Sequence, residues 1–289
     1  MPAPLSRSRA LTATLVLAAT LPVLAGCGGD ASATAPASTV AVDLPLLTPG
    51  TLTVATDATY APMESMNGTA FTGADIDVVT DLAQRMGLKV TFVQTGFDDL
   101  IDTVGAHRAD LVVSSMTDRA ARQEKVDFVD YFIAGSQAIA AAGNPLGLAA
   151  PDTWCGHTAA VNSGTTNGDL VAAQSALCTA AGKPAVAIVD VPNGKSADRV
   201  AAGAADFGVE DYPSAADLVT TSSGALSLAG DPLQAAPYGL GFAKDRSDLR
   251  DAVQVALQQS IAAGRYDEIL KAHGLEAAAL RTTAINGGA

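Results

Sequence analysis

The sequence is poor in the groups that mark most enzymes and nucleic-acid binders. Its 289 residues include three histidines, three cysteines and one tryptophan, and aromatic side chains make up only 4% of the chain. It has no Gly-x-Gly-x-x-Gly fingerprint, no Gly-x-x-x-x-Gly-Lys-Ser/Thr loop, no Gly-x-Ser-x-Gly elbow and no His-Glu-x-x-His pair. The common cofactor and hydrolase chemistries therefore lack their signatures. His107, His157 and His273 fall at expected loops or helix ends with no nucleophile beside them, and they read as surface residues. No Cys/His spacing resembles a zinc site, so neither a metal nor a cofactor is expected. Basic residues are also scarce, 17 against 30 acidic ones. Such a surface repels phosphates and argues against nucleic acid, while suiting a cationic ligand or plain solubility.

The N-terminus stands apart. Arg7 and Arg9 precede an apolar run from Ala10 to Val23 that closes on Leu24-Ala25-Gly26-Cys27. A positive region, a short apolar run and small residues are the order of a secretory signal, and the run is short for a membrane span. The ending resembles the lipobox of bacterial lipoproteins, which implies cleavage after Gly26 and a diacylated Cys27 holding the protein to the outer face of a membrane. Residues 27–49 are mostly Ala, Ser, Thr, Pro and Gly and read as a disordered tether. Loss of the leader removes two of the 17 basic residues, leaving a formal charge of 15 minus 30, or −15. With Cys27 assigned to lipid, Cys155 and Cys178 are an even pair in an oxidising compartment, and a disulfide between them is expected.

The remaining length, with 48% hydrophobic residues over the whole chain, suits two modest cores. From Leu52 to Val113 the pattern runs β-α-β-α-β: the strand Leu52–Thr56, a helical face of Ile76, Val79, Leu82, Ala83 and Met86 stopped at Gly87, alternation at Leu88, Val90 and Phe92, a helix over Asp99–Val104, and the strand Leu111–Val113. A second series follows, with strands at Thr158–Val161, Ala185–Val189 and Phe207–Val209 and a helix over Ser196–Ala202. The chain closes on an amphipathic helix through Leu249, Val253, Ala256, Leu257 and Ile261 and a shorter one over Tyr266–His273. This alternation predicts an α/β protein of two lobes.

Certain stretches resemble a known family. These are Thr56-Asp57-Ala58-Thr59-Tyr60-Ala61-Pro62-Met63-Glu64, Phe71-Thr72-Gly73-Ala74-Asp75-Ile76-Asp77, Phe97-Asp98-Asp99-Leu100-Ile101, Ala109-Asp110-Leu111, Ser114-Ser115-Met116-Thr117 with Arg122, and Val126-Asp127-Phe128. In this order and spacing they resemble solute-binding family 3, the polar amino-acid-binding proteins of ABC importers. The likeness runs from about Gly50 to Gly274. It implies a type II periplasmic-binding-protein fold: lobe 1 from residues 50–134 and 238–280, lobe 2 from residues 135–237, two crossover strands near Ala134 and Tyr238, and a tail over 281–289. It also implies an amino-acid ligand, permease transmembrane subunits as partners, and a monomer.

The resemblance assigns the site residue by residue. An amino acid offers a carboxylate, an ammonium group and a side chain, so a pocket needs a cationic fork, an acceptor and a shaped wall. Arg122 falls at the carboxylate-binding arginine, Ser115 and Thr117 at positions that touch the ligand's backbone groups, and Thr166 at a second carboxylate contact. Thr117 is also placed to cap the helix carrying Arg122. Thr166 lies in Ser163-Gly164-Thr165-Thr166, which reads equally as an anion-binding helix start or as a bland turn. Asp211 matches the ammonium-binding aspartate, with Glu210 the competitor, since a shift of one residue would exchange the two. Tyr60 and Phe97 match wall positions, although Tyr60 also reads as a core aromatic. Asp57 matches an acid facing the ligand side chain, which suits arginine, lysine or histidine slightly better than glutamine. The chain departs from the family pattern at Val129 and at Asn162. Two other readings stay open: a dehydratase resembling those that act on cyclohexadienyl substrates, with Glu210 as its acid, and a sensor for a membrane receptor.

Overall fold

The computed structural model describes residues 44–289. The leader, Cys27 and most of the expected tether lie outside the described residues. The strands are β1 (Thr51–Thr56), β2 (Thr59–Tyr60), β3 (Glu64–Asn67), β4 (Ala70–Thr72), β5 (Lys89–Gln94), β6 (Leu111–Val112), β7 (Val126–Ala141), β8 (Thr158–Val161), β9 (Ala187–Asp190), β10 (Phe207–Asp211) and β11 (Leu226–Ala243). The helices are α1 (Ala74–Arg85), α2 (Leu100–Gly105), α3 (Ala120–Gln123), α4 (Thr166–Ala180), α5 (Ser196–Ala201), α6 (Tyr212–Thr221), α7 (Ser247–Ala262) and α8 (Arg265–Ala272).

Two long strands organise the molecule. β7 and β11, of 16 and 18 residues, pair antiparallel at the centre of an eight-stranded sheet ordered β5-β1-β6-β11-β7-β10-β8-β9. Their near halves join the parallel strands β5, β1 and β6, and their far halves join β10, β8 and β9. Between them the β7–β11 register shifts between Leu233 and Ala236 and again between Tyr238 and Gly239, on either side of the Ala134–Ala236 pair. The fold is therefore the expected two-lobed α/β architecture.

Each lobe has its own core. In lobe 1, Leu52 and Val54 of β1 pack with Val79 and Leu82 of α1, Phe242 of β11 and Leu257 of α7. The opposite sheet face buries Leu100, Val104, Val112 and Phe128. In lobe 2, Trp154 packs against Phe207 with the rings tilted and their centroids 4.9 Å apart, among Val161 and Val171. Ile139, Ala160, Val200 and Leu226 fill the other side. The Cys155–Cys178 disulfide is present, its Cα atoms 5.5 Å apart, tying α4 to the loop before β8.

Three details differ from the sequence pattern. β9 begins at Ala187, two residues later than expected, because Ser175 Oγ takes both the amide and the carbonyl of Val186 at 3.1 Å. The tether stops short of Pro49: Leu44 and Leu46 pack against the lobe 1 core, and Leu47 N donates to Asp110 Oδ1 at 3.0 Å. The tail folds back instead of trailing away, with Ile285 bridged to Val129. Among the described residues no helix is long and apolar enough to cross a membrane.

Candidate functional site

The parallel strands end on one side of the sheet, and the loops leaving them face each other across the gap between the lobes. That is where open α/β sheets place their ligands. Tyr60, Phe97, Ser115, Thr117 and Arg122 of lobe 1 line one cavity together with Thr166 and Asp211 of lobe 2. The cavity is nearly closed, about 10 Å³, and the lobes touch around it. Tyr60 Oη accepts from Asp211 N at 2.8 Å, Thr117 Oγ1 and Thr166 Oγ1 are 3.4 Å apart, and Arg119 pairs with Asp169. Gly164 belongs to the same closure: a Cβ there would come within 2.6 Å of Asp98 Oδ1 on the opposing lobe.

Arg122 is 6% exposed and forms no ion pair with any carboxylate among the described residues. Nη1 donates to Thr117 O at 2.9 Å, and the guanidinium lies 5.4 Å from the Phe97 ring centroid, a cation–π distance. Burial, helped by the neighbouring Arg119 charge, lowers its pKa to about 10, so it stays charged at neutral pH. Thr117 contributes its carbonyl to this fork and does not cap α3. The residue before that helix is Arg119, and no side chain caps it.

Asp211, 8% exposed, ends β10 opposite this cation. Asn167 Nδ2 donates to Oδ1 at 3.1 Å. Burial pushes the carboxyl up, against the Tyr238 hydroxyl, the Asn167 amide and the Arg122 charge, which pull it down. Successive strand residues face opposite sides, and Glu210 accordingly turns away from the cavity to accept from Ser196 N at 3.2 Å. Its pKa is raised to about 7, chiefly by burial.

Two expected residues sit differently. Ser115 lines the cavity in a left-handed backbone conformation, φ 46°. Its N–H and hydroxyl turn to a buried acid pair: N donates to Asp75 Oδ2 at 2.9 Å and Oγ to Glu64 Oε2 at 3.1 Å. Its carbonyl is the polar group left for the cavity. Burial raises both carboxyls, Glu64 further because of the Asp75 charge, and Tyr131 Oη donates to Asp75 Oδ1 at 2.6 Å. Asp57 is not in this cavity. It lines an adjoining chamber of about 350 Å³ together with Phe97, Asp98, Asp99, Asn162 and Asp190. Its carboxylate accepts from Gln94 Nε2 at 3.0 Å, Thr59 Oγ1 at 3.2 Å and Phe97 N at 3.1 Å.

The sequence reading missed Asn193. This residue is 8% exposed and lines both the cavity and the chamber. Its only signal was Val191-Pro192-Asn193-Gly194 after a strand, which reads as a turn. Ser114 and Asn167 were missed too, because their roles lie in packing against Glu64 and Asp211. Among the described residues no three His, Cys, Asp or Glu side chains are grouped to hold a metal ion.

Comparison with known proteins identifies the family and the fold. The family model described as bacterial extracellular solute-binding proteins, family 3, matches residues 52–276. The arginine-binding protein ArgT of Corynebacterium glutamicum is 31% identical over 240 residues, covering 82% of this chain and 78% of its own. The lysine/arginine/ornithine-binding periplasmic protein of Escherichia coli is 30% identical over 236 residues, covering 77% and 87%. An ancestral arginine-binding protein, solved with arginine and also with glutamine, superposes with a TM-score of 0.71 at 27% identity, covering 78% of this chain and 98% of its own.

Proposed function

The chain belongs to the bacterial extracellular solute-binding proteins, family 3, and from that premise we propose that it captures a polar L-amino acid between its lobes and delivers it to an ABC permease. The observation that carries this reading is the opposed pair Arg122 and Asp211. Each is buried, and neither has an ion-pair partner among the described residues. Keeping uncompensated charges out of water costs several kcal/mol unless hydrogen-bonded partners answer them. An α-carboxylate on Arg122 and Thr166 and an α-ammonium on Asp211 supply those partners at once, and closure excludes the water that would compete.

The side chain of the ligand then points past Tyr60 and Phe97 into the chamber lined by Asp57, Asp98, Asp99 and Asp190. Such walls favour arginine, lysine or histidine ahead of glutamine, in keeping with the names of the relatives. Cys27 holds the receptor to the membrane by lipid, and the protein works as a monomer. A dehydratase would need a general acid in the cleft, and the side chain of Glu210 faces Ser196 instead.

The test is a thermal-shift screen of the twenty amino acids, because a ligand of the folded state alone raises stability with the logarithm of its concentration over Kd. Arginine, lysine and histidine should give the largest shifts. A screen in which none of the twenty shifts the transition would overturn the reading.

A further inference from the structure

Helix α3, which presents Arg122, is a single turn of four residues. A helix this short does not sustain itself in water, because nucleation fixes several residues in exchange for one hydrogen bond. Its support comes from a segment distant in the chain, with Gln123 and Gly288 separated by 165 positions. Beyond residue 276, where the family match ends, the chain doubles back over β7. Asp130 N donates to Ala284 O at 2.9 Å. Asn286, in a left-handed conformation at φ 51°, accepts from Phe128 N at 2.8 Å and donates to Asp127 Oδ1 at 3.0 Å. Gly287 N donates to Asp130 Oδ2 at 3.1 Å.

Gly288 makes the decisive contacts. Its N donates to Asp118 Oδ2 at 2.9 Å, and its carbonyl accepts from Gln123 Nε2 at 3.0 Å. The same Gln123 amide donates to Asp118 Oδ1 at 2.8 Å. Asp118 lies just ahead of Arg119 at the start of α3, and Gln123 is the last residue of the helix, directly after Arg122. Gly288 thus closes a polar ring around the turn that aims the guanidinium. No side chain fits there, since a Cβ on Gly288 would overlap the Asp118 carbonyl oxygen.

We infer that residues 284–288 form a strap that positions Arg122, making Asn286 and Gly288 positioning residues of the amino-acid site. The inference rests on Arg122 being the carboxylate fork. It is tested in the full chain with Gly288→Ala and Asn286→Ala. Hydrogen exchange is followed without amino acid at the amides of Gln123, Glu124 and Lys125, which donate to Arg119, Ala120 and Arg122. Exchange there should speed up about tenfold, while α4 and β10 keep their protection. In calorimetric titration every amino acid that the parent binds should weaken by roughly three- to tenfold, about one lost hydrogen bond. In an Arg122→Ala background, Gly288→Ala should change affinity no further.

Unchanged exchange in α3 overturns the strap, as does an affinity loss that adds in full to that of Arg122→Ala. Faster exchange across the whole of lobe 1 marks a merely structural tail and overturns it as well. A parent protein that binds no amino acid defeats the proposed function separately, and the exchange experiment still decides whether residues 284–288 support α3.

Discussion

Replacing Arg122 with alanine separates a ligand fork from an ordinary structural arginine. Burial has lowered the pKa of this guanidinium from its usual value to about 10, and holding it charged costs the ligand-free protein on the order of 3 kcal/mol. The folded pKa lies below the unfolded one, so this penalty is present in full at neutral pH and fades only as pH rises above about 10. Alanine removes the penalty, together with the Thr117 hydrogen bond and the Phe97 contact, which are worth about 1–2 kcal/mol between them. The ligand-free variant should therefore be as stable as the parent, or slightly more so. Binding should move the other way. Each charged hydrogen bond to the α-carboxylate contributes about 1.5–3 kcal/mol, so affinity should fall by roughly tenfold to more than a hundredfold for every accepted amino acid. Calorimetric titration and scanning calorimetry read the two quantities on one preparation. Near-parental affinity, or a ligand-free melting temperature lowered by many degrees, would refute the argument.

Asp57→Asn should weaken arginine, lysine and histidine more than glutamine in competition titrations. It should also cost about 1–3 kcal/mol of stability, because an amide cannot accept from Phe97 N, Thr59 and Gln94 together; equal losses for all ligands would remove Asp57 from side-chain recognition. Replacing Cys155 and Cys178 with serine reopens a ring spanning a separation of 23 residues and should cost about 3 kcal/mol, seen as a melting point several degrees lower, and an unchanged one would contradict it. Cys27→Ser should release the protein into the soluble fraction of cells; retention on salt-washed membranes would exclude the lipid anchor. Glu210 and Asp130 are both raised to about 7 by burial, so the folded state holds their protons where the unfolded state has lost them. Stability should therefore fall as pH rises from about 4.5 to 7, and Glu210→Gln and Asp130→Asn should each flatten that fall in urea titrations.

Much of this molecule is legible in its sequence because local rules and global fold agree there. The face Ile76, Val79, Leu82 and Ala83 turns inward along α1, and Thr165 Oγ1 caps α4 by accepting from Gly168 N at 3.1 Å, the helix start being one of the two readings of the Ser-Gly-Thr-Thr stretch. The ordered motifs bring seven of eight expected site residues to one cavity. What escaped depends on partners distant in the chain. Nothing around Ser115 announces that Glu64 and Asp75 take its hydroxyl and amide, and nothing in the turn at Asn193 says that both lobes close over it. Asp57 sits outside the central cavity because Gln94 and Phe97, nearly forty residues on, hold its carboxylate. The strap is the extreme case. Asn286-Gly287-Gly288 reads as a trailing polar end until Asp118 and Gln123 are seen gripping it.

The claim at the centre is that the protein grips the α-groups of an amino acid. It is tested most directly by titrating the parent with arginine, lysine and histidine alongside agmatine, cadaverine and histamine, the same side chains without the carboxylate. Each amino acid should bind roughly tenfold to more than a hundredfold more tightly than its decarboxylated amine, the worth of one lost charged pairing on Arg122. Amines that bind as tightly as their parent amino acids would contradict the account.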